Sequence, residues 1–304
     1  MTMKKPNVFT ILSLVKVLVS GLLWLFIGFS ASASTVNSTN TSKTQIIKPK
    51  TTEPDYIFSA VALISRSTSL VDHKDGTRTD RMDYGFLNGM KTPVGIISTK
   101  LIYSQNLNDM SPNESGLSDI PITFAFNPFK YKAFKDSGFQ WTPSITVIAP
   151  AAKESVKRDH LQSILSTGLS FAFVPNQTSI KAGYGWSFGA SISLGRYFHP
   201  YEEDINGAVL NQYSSNQTLN ALYRFMAWSF SAEFIHKNRW TYQNNLKESF
   251  EHAEEIGYNF SPHFALAIGH TNAGSALKSN GVDTNYELVN ENDSKIYGQM
   301  AISF

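Results

Sequence analysis

Residues 183–195 read GYGWSFGASISLG, and the alternation in this stretch sets the reading of the chain. Tyr184, Trp186, Phe188, Ala190, Ile192 and Leu194 stand at even positions, with Gly183, Gly185, Ser187, Gly189, Ser191, Ser193 and Gly195 at odd ones. Side chains alternate faces along a β-strand, so one face here is large and apolar and the other small and uncharged. A strand of a soluble sandwich also alternates, but its outer face carries charge. Large groups outside and small groups inside suit a barrel wall between lipid and a lumen. The Gly-x-Gly it contains is not a nucleotide loop, because its glycines lie inside a strand with no helix behind them.

The same scheme recurs along the chain. Phe139, Trp141, Ile145, Val147 and Ala149 oppose Gln140, Thr142, Ser144 and Thr146. Trp228, Phe230, Ala232 and Phe234 oppose Ser229, Ser231 and Glu233. Phe264, Leu266 and Ile268 oppose Ala265, Ala267 and Gly269. Ile296, Gly298, Met300, Ile302 and Phe304 share the last such face. Counting back from Phe304 predicts twelve strands, near 295–304, 263–272, 249–260, 227–240, 217–226, 181–198, 163–174, 139–150, 118–127, 92–104, 81–89 and 55–69. An even count returns both termini to one side, here read as the periplasm. Tight turns at Met226-Ala227 and Ser261-Pro262 alternate with long polar loops at 106–116, 151–161, 200–216 and 271–294. The connection 127–138 is long for the turn side. Trp141, Trp186 and Trp228 fall at turn ends and Trp240 at a loop end, as interfacial girdle residues do.

The composition agrees. Charged residues make up 16% of the 304 residues, against about 25% in an average soluble protein, and aromatics reach 13%. There is no cysteine, which removes disulfides, thiolate metal sites and cysteine nucleophiles. The net charge of +2 gives no basic face for nucleic acid. Residues 1–33 read as a cleaved signal peptide, with Lys4 and Lys5, an apolar run from Val17 to Phe29, and Ala31-Ser32-Ala33 before the cut. That segment holds three of the 26 basic residues and no acid, so its removal leaves 23 bases against 24 acids, a net of −1. Residues 34–54 read as a flexible polar linker and 55–304 as the barrel.

With an export signal, no helical span and a final apolar-alternating strand ending in Phe304, the chain resembles a Gram-negative outer-membrane β-barrel of porin-like type. The resemblance implies an all-β transmembrane antiparallel up-and-down barrel. It also implies a terminal aromatic strand, with Phe304, read by the barrel-assembly machinery. Outer-membrane lipids and lipopolysaccharide are its expected surroundings. No cofactor is expected, and the partner of the external loops is not identified.

Alternation turns Arg81, Asp83, Lys100, Arg224, Glu233, Lys237, Arg239, Glu251, Glu255 and Lys295 inward, as pore-lining charges of both signs. Twelve strands lie between barrels filled by side chains and barrels with an aqueous channel. A narrow passive channel for small polar solutes is the leading reading, with a mixed-charge constriction near Lys237, Arg239 and Glu251. A lumen closed by paired charges is the alternative, leaving a structural or surface-interaction barrel that acts through its external loops.

A second cluster faces outward. His236, His252 and His270 lie on successive strands, with Asn238, Glu254 and Asn272 on the same face. The apolar residues from Trp228 to Phe234 cover roughly 20 Å of the ~25 Å apolar band, which puts the histidines at the outer interface. An outer-leaflet lipid hydrolase with His270 as base is a third reading. Its pattern departs from His-x-Ser-Asn, because Thr271 points inward and Ser275 lies in a predicted loop. Zinc ligation by the histidines lacks a closed second shell on a bare lipid-facing wall, so no metal site is expected.

Overall fold

In the computed structural model, residues 57–70, 78–108, 115–130, 138–176, 179–180, 183–277, 284–290 and 293–304 are described. The signal-peptide and linker readings of 1–33 and 34–54 lie outside them. The chain forms one antiparallel sheet of β1 (Ile57–Ser69), β2 (Asp80–Thr92), β3 (Gly95–Asn106), β4 (Gly116–Leu117), β5 (Ile120–Phe126), β6 (Phe129–Lys130), β7 (Gln140–Ala149), β8 (Ser163–Phe173), β9 (Tyr184–Phe198), β10 (Asn211–Phe225), β11 (Trp228–Thr241), β12 (Leu246–Ser261), β13 (Phe264–Ser275) and β14 (Lys295–Ser303). β4 and β6 are two-residue pieces, and the other twelve are the staves of a barrel.

Each stave pairs with its neighbour, and two pairings close the ring. Val61 of β1 pairs with Ser303 of β14, joining the first and last strands. β2 pairs with β3 from Arg81↔Asn106 to Thr92↔Gly95. Closure leaves no open edge, which is the condition for a sheet to cross a hydrocarbon layer with every backbone group bonded.

Strand ends follow the predicted ones within a few residues, with one larger difference. β10 begins at Asn211 and not near 217, so the preceding loop contracts to 199–210. The added residues, from Asn211 to Asn216, are almost all polar on both faces and give no period-two signal. In 127–138, the sheet continues briefly as β6, whose Phe129 pairs with Trp141. Residues 131–137 lie outside the described ones.

Connections separate into two ends. The turn end has Pro93-Val94, Met226-Ala227 and Pro262-His263 between staves. Met226 takes a left-handed φ of 54° there, as a two-residue hairpin requires. The loop end carries 107–119, 150–162, 199–210 and 276–294, with a short helix, α1 (Lys153–Lys157), in the second. Asp119 holds that helix's start by accepting from the Ala151 and Ala152 amides at 2.9 Å and from Ser155 Oγ at 2.6 Å.

The outer face is the apolar one. Trp186, Phe188, Ile192 and Leu194 of β9 are 46, 41, 41 and 57% exposed, while Gly189 and Gly195 beneath them face Asn220 and Ser214 of β10 inside. At the turn end, aromatic rings pair on several strands. Phe129 stacks on Trp141 at 4.4 Å, Trp186 meets Tyr223 at 4.9 Å, and Trp228 meets Tyr258 at 4.7 Å. Trp240 is the residue expected at the other end, paired with Tyr213 and Leu246.

Candidate functional site

The inner wall gathers charge on its β11–β14 side. Strand alternation puts Glu233, Lys237 and Arg239 of β11, and Glu251 and Glu255 of β12, on the face opposite Trp228 and Ile256. Lys237 and Glu251 form an ion pair across these strands. Glu233 is 3% exposed, and neither carboxylate oxygen has a hydrogen-bond partner among the described residues. Lys237 of the same strand and Glu251 of β12 share its inner face.

Tyr297 ties three strands together. Gly269 of β13 pairs with Glu255 on one side and Tyr297 on the other. The Tyr297 ring lies over Gly269, where a Cβ would collide with it, and its hydroxyl donates to Glu255 Oε2 at 2.9 Å. Glycine is needed at 269 to let the ring cross.

The opposite wall supplies the complementary set. Arg81 Nε bonds Asp83 Oδ1 at 2.7 Å, and Arg81 also reaches Ser104 Oγ of β3. Lys100 of β3 shares the inward face with Asp83 of the neighbouring β2. β3 and β12 are separated by four strands on the shorter way round the ring, so Lys100 and Glu251 stand on well-separated parts of the inner wall. Arg224, Arg239 and Lys295 share the inward face by alternation.

The outer wall carries a polar cluster at the loop end of β11–β13. Glu254 bridges two histidines, with His252 Nδ1 at 3.0 Å from Oε1 and His270 Nδ1 at 3.0 Å from Oε2. Register produces this: Glu254 pairs directly with His270, and His252 with Asn272. His236 stands apart and bonds Gln217 Oε1 of β10 at 2.8 Å. Two of the three outward histidines therefore come together.

Sequence reasoning missed what covers them. Residues 284–290 fold back onto the outer wall. Tyr286 packs on Phe250 at 5.0 Å and on Phe234 at 5.8 Å. The Glu287 carbonyl accepts from Asn272 Nδ2 at 2.6 Å and lies 3.2 Å from His252 Nε2. Phe250, His252 and Asn272 are 2, 8 and 0% exposed, although they project from the outer face. Such a fold-back of a polar loop has no periodic signature; the nearest signal is an apolar patch, Tyr286-Glu287-Leu288-Val289, inside a polar segment.

The hydrolase arrangement is not assembled. Ser275 is the last residue of β13 and not a loop residue; it pairs with Ser249. It lies five positions from His270 and so has the opposite facing, which separates nucleophile and base by the barrel wall. Below the cluster, Trp228, Ile256, Tyr258, Leu266 and Ile268 line a shallow apolar groove on the outer face.

No protein-family model matches the sequence, and no curated protein matches it. Solved structures do match the fold. An outer membrane channel from Pseudomonas putida F1 aligns with a TM-score of 0.50 at 12% identity, covering 83% of this chain and 97% of that one. The NanC porin aligns with a TM-score of 0.50 at 11% identity, covering 80% of this chain and 98% of that one. The chain thus has the fold of outer-membrane channel barrels.

Proposed function

We propose that this protein sits in the bacterial outer membrane, with both termini in the periplasm, and serves as a passive, narrow channel for small polar solutes. One observation carries the reading: alternation puts Lys100 of β3 on the same inner face as the Lys237–Glu251 pair of β11 and β12, with four strands between β3 and β12 on the shorter way round the ring. Charges of opposite sign on separate parts of one inner wall mark a constriction of mixed polarity. Such a constriction favours small solutes with both donors and acceptors over large or apolar ones. The glycine and serine face of β9, two staves from β11, leaves room that larger side chains would fill.

The outer wall supports the membrane setting. Its exposed Phe, Trp, Ile and Leu side chains would be an aggregation surface in water and are a solvation surface in lipid. The aromatic pairs at the turn end mark one interface, and the polar cluster around Glu254 the other. Conductance of the refolded barrel in a planar bilayer tests the proposal.

A further inference from the structure

We propose that His252, Glu254 and His270 form a binding site for one borderline divalent transition-metal ion of the zinc type, on the outer wall of the barrel and closed by residues 284–290. This site is independent of the channel and stands or falls separately from it.

The donor set comes first. One ligand atom from each of the three residues lies within 4.8 Å of the others. The two imidazole–carboxylate separations of 3.0 Å, one to each oxygen of Glu254, are close to the edge of a zinc polyhedron, about 3.3 Å when ligands lie about 2.0–2.1 Å from the metal, so an ion between the rings would draw on both carboxylate oxygens. Two imidazoles and a carboxylate suit zinc and its neighbours, whereas calcium and magnesium take oxygen ligands.

Hydrogen-bond bookkeeping points to a cation. His252 Nε2 faces the Glu287 carbonyl, which only accepts, and Nδ1 faces the Glu254 carboxylate. A neutral imidazole has one N–H and cannot donate to both. With the proton on Nε2, the Nδ1 lone pair confronts the carboxylate unless a positive charge lies between them. A second ring proton or a metal at that point resolves the conflict, and a metal leaves Nε2–H on the carbonyl, the second-shell bond that metal-bound histidines usually make. Asn272, fully buried beside His252, has an unpartnered Oδ1 among the described residues, as does His270 at Nε2.

Enclosure is the independent observation. The rest of this outer face is open, with Ile256 and Ile268 at 51 and 69% exposed, but His252 is covered to 8% by a loop whose backbone bonds directly to the cluster. The loop supplies the shell that a bare wall lacks. A bound ion would in turn pin residues 284–290 to the barrel through His252 and the Glu287 carbonyl.

The test uses the full, tag-free barrel refolded in detergent, with zinc chloride as the probe and binding followed by titration calorimetry. One zinc per barrel is expected, with affinity falling at least about tenfold in both His252→Gln and His270→Gln and unchanged in His236→Gln. Cobalt(II) should give the absorption of a nitrogen- and oxygen-ligated tetrahedral centre in the wild type and lose it in Glu254→Gln. The heat-dependent gel shift verifies that each variant is folded; His270, at a less buried position, serves should His252→Gln fail to fold. Absence of saturable zinc uptake by the wild type would overturn the proposal. So would wild-type affinity in a folded His270→Gln barrel.

Discussion

Tyr297 of β14 donates its hydroxyl to Glu255 of β12 at 2.9 Å by crossing Gly269 of the strand between them. Three staves are thereby joined on the inner face by one side chain, at a position where no Cβ fits. The Tyr297 ring is 7% exposed and Glu255 is 6%, so this bond is made away from bulk water. A hydroxyl-to-carboxyl bond in that setting contributes more than a surface one, because its loss leaves a buried carboxyl without this donor.

Tyr297→Phe is therefore expected to lower barrel stability by about 1–3 kcal/mol. Urea unfolding of the detergent-refolded protein, read by the gel shift or by tryptophan emission, measures it. An unchanged midpoint would show that water replaces the hydroxyl at no cost.

Gly269→Ala should also destabilise, by about 1–3 kcal/mol, because the added methyl meets the Tyr297 ring. Gly298→Ala is the matched control on the neighbouring strand, where a Cβ meets nothing within 4 Å. It should stay within about 0.5 kcal/mol of wild type. Equal effects at both sites would contradict the packing described here.

Glu251→Gln removes the acid that pairs with Lys237 on the inner face. The constriction becomes more positive, so the channel should shift toward anions by a permeability ratio on the order of twofold or more. Reversal potentials under a salt gradient give the ratio. An unchanged ratio would place Glu251 away from the ion path.

Tyr286→Ala takes away the ring that packs on Phe234 and Phe250. The loop 276–294 should then be cut faster by protease, several-fold at equal enzyme, while the staves remain intact. An unchanged cleavage rate would mean that the Glu287 carbonyl contacts alone hold the loop.

Much of this fold was legible because a barrel stave has to alternate. Tyr184 to Leu194 could be read with no knowledge of their partners, since the lipid selects one face of every stave. The reading weakened where that selection stops. From Asn211 to Asn216, β10 extends beyond the apolar band, both faces are polar, and the strand looked like loop. The inward charges were legible by parity alone. Their pairing was not, because the Lys237–Glu251 ion pair depends on the register of β11 against β12, which periodicity does not carry. On the outer wall, the sequence put His252, Glu254 and His270 on one face. The separation of His236 into a bond with Gln217 depended on a register that periodicity does not carry. The covering loop is a long-range contact of aperiodic sequence, and this is why a closed shell around the histidines was not expected.

Single-channel recording of the refolded wild-type barrel in a planar bilayer bears on the proposed function more closely than any substitution. Discrete conductance steps are predicted, small in size and weakly ion-selective, as a narrow lumen lined by both Lys100 and Glu251 requires. A barrel that shows the heat-dependent gel shift, inserts into the bilayer and gives no steps would contradict the channel and leave a closed wall with paired charges inside.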